Sequence, residues 1–181
     1  MTQTTATDLL TGTWTIDPVH SEVTFTVRHL MSKVRGSFTH FSGKITTNGS
    51  PLESSVSVTI TSASITTHNE QRDAHLRSAD FFDPTKGGEL TFVSTGITES
   101  DDGYVISGDL TINGITRPVD LKAEFLGVDT DAYGATRLGA EATTSINRKD
   151  FKVDFNIPLD GGKFLIGDKV DISLAIEAVT A

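Results

Sequence analysis

The chain alternates apolar and polar residues in many short runs, and this pattern constrains its fold more than any other feature. In one run Val23, Phe25 and Val27 fall on one side of an extended strand, and polar side chains fall on the other. The last run, from Val170 to Ala178, follows the same rule. A period of two residues is typical of antiparallel sheets with one buried and one wet face. The pattern therefore predicts an all-β protein.

Short turn sequences separate the runs. They are Asn48-Gly49, Asp102-Gly103, Asn113-Gly114 and Asp160-Gly161-Gly162, and they supply residues that tolerate positive φ between strands. The runs predict about eight strands, the number at which a closed barrel holds side chains or one small ligand. Closure also removes the exposed edges that a long sheet would present.

The segment from Ile65 to Pro84 interrupts the alternation. Asn69 is a suitable N-cap, Glu70 suits the first helical turn, and Pro84 cannot continue a helix. We therefore predict a short helix around residues 70–79. Because the sequence has no internal repeat, low-complexity tract or linker, we predict a single domain over residues 13–181 after a flexible segment, residues 1–12.

Charge excludes some classes of partner. The 181 residues include 15 Lys and Arg against 24 Asp and Glu, a formal net charge of −9. A nucleic-acid binder needs an excess of phosphate-neutralising Lys and Arg, so we expect no nucleic-acid partner. The same balance argues against firm docking on an anionic membrane, unless a local basic patch outweighs it.

Several further classes are excluded by what the sequence lacks. It contains no cysteine, which excludes disulfide scaffolds, thiolate zinc sites and a cysteine nucleophile. It has no apolar run long enough for a transmembrane helix, and its first residues lack the basic and apolar regions of a secretory signal. Either the protein is cytoplasmic or a signal was removed before the first residue, and the initiating Met1 favours a cytoplasmic location.

The residue patterns of common catalytic and metal sites are missing too. The five histidines form no HxH or HExxH pair, and no nucleophile elbow, phosphate loop or dinucleotide fingerprint occurs. Asp17, His20 and Ser21 cluster in sequence, but neighbours along a strand point to opposite faces and cannot form a triad among themselves. We expect no metal site and no catalytic residues.

Phenylalanines and two basic stretches are the candidates for binding. Ten of the aromatic residues are Phe, and they either fill an ordinary core or line a dry cavity for an apolar ligand. Arg72, His75 and Arg77 form one basic stretch, and residues 28–35 form a second. Each stretch is either a solvated face or a partner for a ligand phosphate or quinone oxygen.

Several strings identify a resemblance to a known family. The strings WTIDPVHSEVTFTVRHL, KVRGSF, RDAHLRSADFFD, GDLTINGITRPVDL, INRKDF and IGDKVDISLAIEA occur in this order from about Trp14 to Ala178. In this combination they resemble the YceI-like, polyisoprenoid-binding proteins. The resemblance implies an extended eight-stranded antiparallel, lipocalin-like barrel, often a homodimer, that holds the isoprenoid tail of a quinone or polyprenyl phosphate. Many such relatives are periplasmic.

The resemblance also implies a site. Its apolar lining maps onto the inward positions Phe25, Val27, Phe38, Phe92, Leu110, Ile112, Phe125 and Phe151. The candidates for the ligand head group are Arg72, His75 and Arg77. The implied function is non-catalytic transport, storage or buffering of an isoprenoid lipid, with transient membrane contact and no cofactor other than the bound lipid or quinone.

Two alternatives stay open. In the first, the cavity selects other lipophilic molecules, such as antibiotics or fatty acyl amides, and the barrel sequesters these and not isoprenoids. An enzyme acting on a lipid or quinone would need convergent polar groups with perturbed pKa values inside the cavity.

Overall fold

The computed structural model describes residues 11–180, and the predicted flexible segment 1–12 falls almost entirely outside this range. The fold consists mostly of strands. The elements are β1 (Gly12–Ile16), β2 (Glu22–His29), β3 (Ser32–Phe38), β4 (Phe41–Thr47), β5 (Ser55–Thr61), β6 (Ile65–Thr66), α1 (Glu70–Leu76), β7 (Glu89–Ser100), β8 (Gly103–Ile112), β9 (Ile115–Thr130), β10 (Thr136–Asn147) and β11 (Ile166–Thr180). Within the described residues, short 3-10 turns lie at Pro51–Glu53, Ser62–Ser64, Pro84–Lys86 and Arg148–Phe151.

The strands form a closed antiparallel barrel. Around the ring the order is β1, β4, β5, β7, β8, β9, β10 and β11, and β1 pairs with β11 to complete it. The long strand β11 pairs with β1 through its last residues and with β2 through its earlier ones. The predicted eight-stranded antiparallel barrel is confirmed.

Three of the eight barrel strands are interrupted, which is why residues 11–180 contain eleven separate strands. β1 continues as β2, β3 as β4, and β5 as β6, with breaks at residues 17–21, 39–40 and 62–64. Serine hydroxyls bridge two of these breaks. Ser21 Oγ donates to Glu177 O (3.1 Å) and accepts from Glu177 N (3.0 Å), and Ser64 Oγ accepts from His40 N (3.0 Å). The hydroxyls replace ladder hydrogen bonds that the breaks remove.

The helix starts as predicted and ends earlier. Asn69 caps it by accepting a hydrogen bond from Arg72 N (2.9 Å), which satisfies a free N–H of the first turn. It ends at Leu76, so the predicted extension to residue 79 is wrong. The cause is local: Ser78 N and Oγ both donate to His75 O, which turns the chain well before Pro84. Pro84 instead begins a 3-10 turn.

The barrel has two different ends. The lower end carries the loops 48–54, 101–102 and 131–135, and the upper end carries the 30–31 turn, α1 and the long connection 148–165. Apolar side chains fill the interior at the lower end, where Trp14 and Ala178 have no exposed surface. Trp14 Nε1 donates to Thr47 Oγ1 (2.9 Å), so its polar atom is satisfied inside the plug.

An ion-pair network lies beside this plug. Arg137 Nη1 lies 2.8 Å from Asp17 Oδ2 and 2.9 Å from Glu177 Oε1, and Arg137 Nε lies 2.7 Å from Asp131 Oδ2. His20 Nδ1 lies 2.6 Å from the same Asp17 oxygen. The Arg137 guanidinium holds the pKa of Asp17 and of Asp131 below the usual aspartate range.

These lowered pKa values imply acid-sensitive stability. The unfolded chain protonates its aspartates near the ordinary value of about 3.9, whereas the folded chain keeps Asp17 and Asp131 ionised to lower pH. Their contribution is present above the ordinary pKa and is lost as pH falls through the lowered one. We expect Arg137→Met to flatten the fall in unfolding free energy between about pH 5 and about pH 3, measured by urea titration.

The control for this experiment is Lys122→Met, which removes a cation whose 3.8 Å pair with Asp102 is exposed. In this variant the unfolding free energy should fall with decreasing pH as steeply as in the wild type. Parallel pH profiles for Arg137→Met and the wild type would contradict the assignment of the acid sensitivity to this network.

Candidate ligand cavity

An apolar cavity of about 230 Å³ runs inside the barrel above the lower plug. Its lining side chains are almost all aliphatic or aromatic. Seven of the eight residues predicted from the family resemblance lie on its wall, namely Phe25, Val27, Phe38, Phe92, Leu110, Ile112 and Phe151. Whether they touch a ligand stays a prediction.

Phe125 is the eighth predicted lining residue, and the structure does not place it on the wall. It is half-buried against the core beside a bulge, where β9 and β10 lose register between Gly139 and Ala140. Up to Phe125 the register of β9 with β10 is regular, so Phe125 follows the same alternation as Leu121 and Ala123. Alternation gives the face of a residue but does not say whether an inward side chain reaches the cavity.

Most of the wall consists of aliphatic residues that the family resemblance did not single out. They include Val56, Val58, Ile60, Ile106, Leu121, Ile172, Leu174 and Ile176. All of them belong to the alternating runs of the sequence, so that pattern was a signal that could have found them. Inward positions of a barrel strand line the interior whatever their chemistry.

Two glycines make room for aromatic rings of the wall. A β-carbon at Gly36 would clash with the ring of Phe25, and one at Gly108 would clash with the ring of Phe92. Each ring thus covers a glycine on the neighbouring strand, as the pairing of Phe25 with Gly36 shows directly. Sequence reasoning missed these glycines, because their role depends on which residue of another strand lies opposite.

The helix α1 covers the wall beyond β6 and is fixed to it by polar contacts. Arg72 donates to Thr67 Oγ1 (2.6 Å) and Thr67 O (2.9 Å), and Arg77 donates to Ala63 O (2.8 Å) and Ile65 O (3.2 Å). Both guanidinium groups therefore hold backbone of the β5–β6 region. Neither residue lies on the cavity wall.

Asp73 completes this attachment from the buried side of the helix. Its Oδ1 accepts from Thr67 N (2.9 Å) and from Thr67 Oγ1 (2.5 Å). Burial alone would raise the pKa of Asp73, but the Thr67 hydrogen bonds outweigh it and keep the pKa below the usual range. Asp73 is thus a buried, satisfied carboxylate and not a free acid.

His75 also contacts protein groups. Its Nε2 lies 2.8 Å from Asp80 Oδ2, and its ring packs edge-on against Phe81 (5.1 Å) and Phe155 (4.6 Å between centroids). The ring thereby joins the helix to the connection between β10 and β11. Head-group binding by Arg72, His75 and Arg77 stays a prediction, and the partners of all three within the chain do not favour it.

Arg148 is the charged group that sequence reasoning missed. It lies on the cavity wall with 4% of its surface exposed. Its guanidinium donates to the carbonyls of Val153 (2.5 Å), Phe155 (2.9 Å) and Gly167 (2.8 Å), and more weakly to that of Ile166 (3.4 Å). Burial lowers its pKa, an effect that the carboxylate of Asp168 opposes. Its donors hold residues 153–155 of the connection to the first residues of β11.

The cavity offers little for chemistry. Among residues 11–180, no three His, Asp or Glu side chains converge in a way that would hold a metal ion. The donors of Arg148 are used by backbone carbonyls, and Glu141, the other charged residue on the wall, is exposed. In the same range no helix is long and apolar enough to cross a membrane.

Comparison with known proteins identifies the family. A model of the YceI-like domain matches residues 14–178. The protein YceI of Shigella flexneri is 40% identical over 162 residues, which cover 88% of this chain and 82% of that protein. This chain belongs to the YceI-like family.

Solved structures support the YceI-like assignment. The YceI protein of Campylobacter jejuni matches with a TM-score of 0.70 at 30% identity, covering 85% of this chain and 90% of its own. A polyisoprenoid binding domain from Saccharophagus degradans matches with a TM-score of 0.67 at 14% identity, covering 95% and 100%. The second likeness shows a shared fold alone. The predicted family is confirmed.

Proposed function

We propose that this YceI-like protein binds the tail of an isoprenoid lipid inside its barrel and carries or buffers it without catalysis. The observation that supports this most is the apolar cavity, closed below by Trp14 and lined by aliphatic and aromatic side chains. A neighbour of the same fold is named as a polyisoprenoid binding domain. A hydrocarbon tail needs such a wall, because it offers no hydrogen bonds to polar groups.

The energetics favour a carrier over an irreversible binder. Each methylene removed from water contributes about 0.8 kcal/mol, but a prenyl tail starts from a membrane and not from water. Its transfer from bilayer to barrel is nearly neutral in hydrophobic terms. Shape, ordering entropy and the head group then decide the affinity.

Filling the cavity should abolish binding. Ala142 is buried on the cavity wall, so Ala142→Phe places a ring in the space of the tail. Its neighbour Thr143 is exposed and faces outward, so Thr143→Phe adds the same ring outside the barrel. We expect Ala142→Phe to lower the affinity for a long-chain quinone at least about tenfold, and Thr143→Phe to leave it unchanged.

Native mass spectrometry in detergent, followed by solvent extraction, measures this binding. The proposal is supported if the wild type takes up a quinone or polyprenyl phosphate and Ala142→Phe does not. Equal uptake by both variants would place the tail outside the cavity and overturn it. Uptake of fatty acyl amides or lipophilic antibiotics, with refusal of isoprenoids, would favour the sequestering function instead.

A further inference from the structure

The upper end of the barrel exposes four apolar side chains on adjoining backbone segments. Leu30 and Met31 form the tip of the β2–β3 hairpin, and Ile157 and Phe164 belong to the connection before β11. Leu30 N donates to Leu165 O (2.8 Å), and Leu165 N donates to Ile157 O (3.0 Å), which brings the segments together. The exposed fractions are 51% for Leu30, 88% for Met31, 46% for Ile157 and 58% for Phe164. We call these four residues the upper apolar cluster.

The hairpin tip is an unusual place for such residues. Leu30 has a φ of 55°, in the left-handed region that favours glycine or asparagine. The β8–β9 turn, by contrast, uses Asn113 and Gly114 at positive φ. Leu30 is half exposed and Met31 almost fully exposed, so burial within the chain does not offset the unfavourable backbone conformation.

The charge around the upper apolar cluster is opposite to that of the whole chain. Residues 28–35 and 148–169 carry seven exposed Lys and Arg against four exposed Asp. One of these cations, Lys149, has its Nζ 5.9 Å from the centre of the Phe164 ring. Outside these two segments the chain has seven Lys and Arg against 20 Asp and Glu. These two segments therefore form a basic patch at the upper end of an acidic protein.

The lower end has the opposite character. Its loops 48–54, 101–102 and 131–135 contain four acidic residues and no Lys or Arg. Tyr133, which is 97% exposed, lies among these carboxylates. Apolar exposure thus occurs at both ends, but it coincides with positive charge at the upper end. Such a separation of charge orients a protein in the field of a charged surface.

The upper apolar cluster also lies beside the cavity. Val27, Phe151, Val153 and Ile166 line the cavity and belong to, or directly adjoin, the two basic segments. The opposite end is closed by the fully buried Trp14. The upper end is therefore the side from which a membrane lipid would reach the cavity.

We propose that the upper end docks on the surface of an anionic lipid bilayer. Leu30, Met31, Ile157 and Phe164 enter the interface, and the surrounding Lys and Arg lie against headgroup phosphates. The acidic lower end faces away, since the same surface repels it. Passage of an isoprenoid through the docked end rests on the proposed function, whereas the docking itself does not.

Vesicle flotation of the full chain tests the docking. The probes are vesicles of phosphatidylcholine alone and vesicles containing about 30% phosphatidylglycerol, without any isoprenoid. We expect binding to the anionic vesicles at about 0.05 M salt, loss of most of it at about 0.5 M, and little binding to neutral vesicles. No binding to anionic vesicles, or equal binding to both kinds, would overturn the proposal.

Matched variants test the residues. Met31→Asp removes the most exposed member of the upper apolar cluster, and Tyr133→Asp makes the same kind of change at the lower end. Lys33→Glu with Lys163→Glu reverses charge near the cluster, and Lys44→Glu reverses it on the exposed wall of β4. We expect at least about a tenfold loss of vesicle binding for the two upper-end variants and none for the controls.

Equal losses at both ends would mean that docking does not use the upper end. If Met31→Asp changes the mass in analytical ultracentrifugation but not vesicle binding, the cluster is an interface between two copies, and the proposal is wrong. Isoprenoid binding in detergent separates this test from the proposed function. Met31→Asp should still bind the isoprenoid in detergent. Ala142→Phe, which we expect to lose isoprenoid binding, should still float with anionic vesicles.

Discussion

Replacing Trp14 by alanine is expected to lower the free energy of unfolding by about 3–5 kcal/mol. The side chain has no exposed surface, and it lies on the strand that closes the ring, where Trp14 pairs with Ile45 on one side and Thr180 on the other. The barrel walls around it are held by ladders on both sides, so they cannot collapse to fill the space. Urea unfolding followed by circular dichroism measures the change.

Trp14→Phe is the matched control, because it keeps most of the buried ring volume and removes the hydrogen bond from Nε1 to Thr47 Oγ1. We expect it to lose clearly less stability than Trp14→Ala. A loss below about 1 kcal/mol for Trp14→Ala would contradict the interpretation of the lower end as a rigid plug.

Replacing Arg148 by methionine is expected to lower the free energy of unfolding by about 3 kcal/mol or more, because several buried carbonyls lose their hydrogen-bond donor. Methionine keeps much of the side-chain length but donates no hydrogen bonds. The carbonyls of Val153, Phe155 and Gly167 then lose their donor, at about 1–3 kcal/mol for each that water cannot reach. Urea unfolding gives the total.

Hydrogen exchange should locate the effect of Arg148→Met in residues 153–167, the segment that contains those carbonyls. Lys149→Met is the control. Lys149 is half exposed and pairs with Asp168 at 3.3 Å on the surface, so its removal should change stability by at most about 1 kcal/mol. Similar losses for both variants, or unchanged exchange over 153–167, would contradict the role assigned to Arg148.

Both predictions concern parts of the molecule that the sequence pattern does not reveal. Trp14 is one apolar residue in a short run, and nothing local marks it as the plug of a barrel. Arg148 lies in a string that the family resemblance contains, yet its partners are backbone carbonyls up to 19 residues away. Carbonyl positions depend on how the connection folds, and side-chain patterns do not record them.

The sequence predicts only part of the candidate site, because the positions of its side chains depend partly on distant segments of the chain. Phe25, Val27 and Ile112 lie on the cavity wall because strand alternation fixes the face of each residue. Phe125 packs against the core but not on the cavity wall, because alternation fixes the face of a residue and not which inward side chains reach the cavity. Arg72 and Arg77 resemble free cations in the sequence, but the folded chain brings carbonyls of the β5–β6 region within reach of both.

The sequence by itself determined the strands, most of their inward faces, the turns at Asn113-Gly114 and the helix start at Asn69. These features depend on interactions between residues a few positions apart. Only the tertiary structure decided the breaks in three strands, the glycines beneath Phe25 and Phe92, the carbonyl partners of Arg148 and the hydrogen bond of Leu30 to Leu165 at one end. Each of these depends on which distant segment lies opposite, and closing the barrel is what fixes that neighbour.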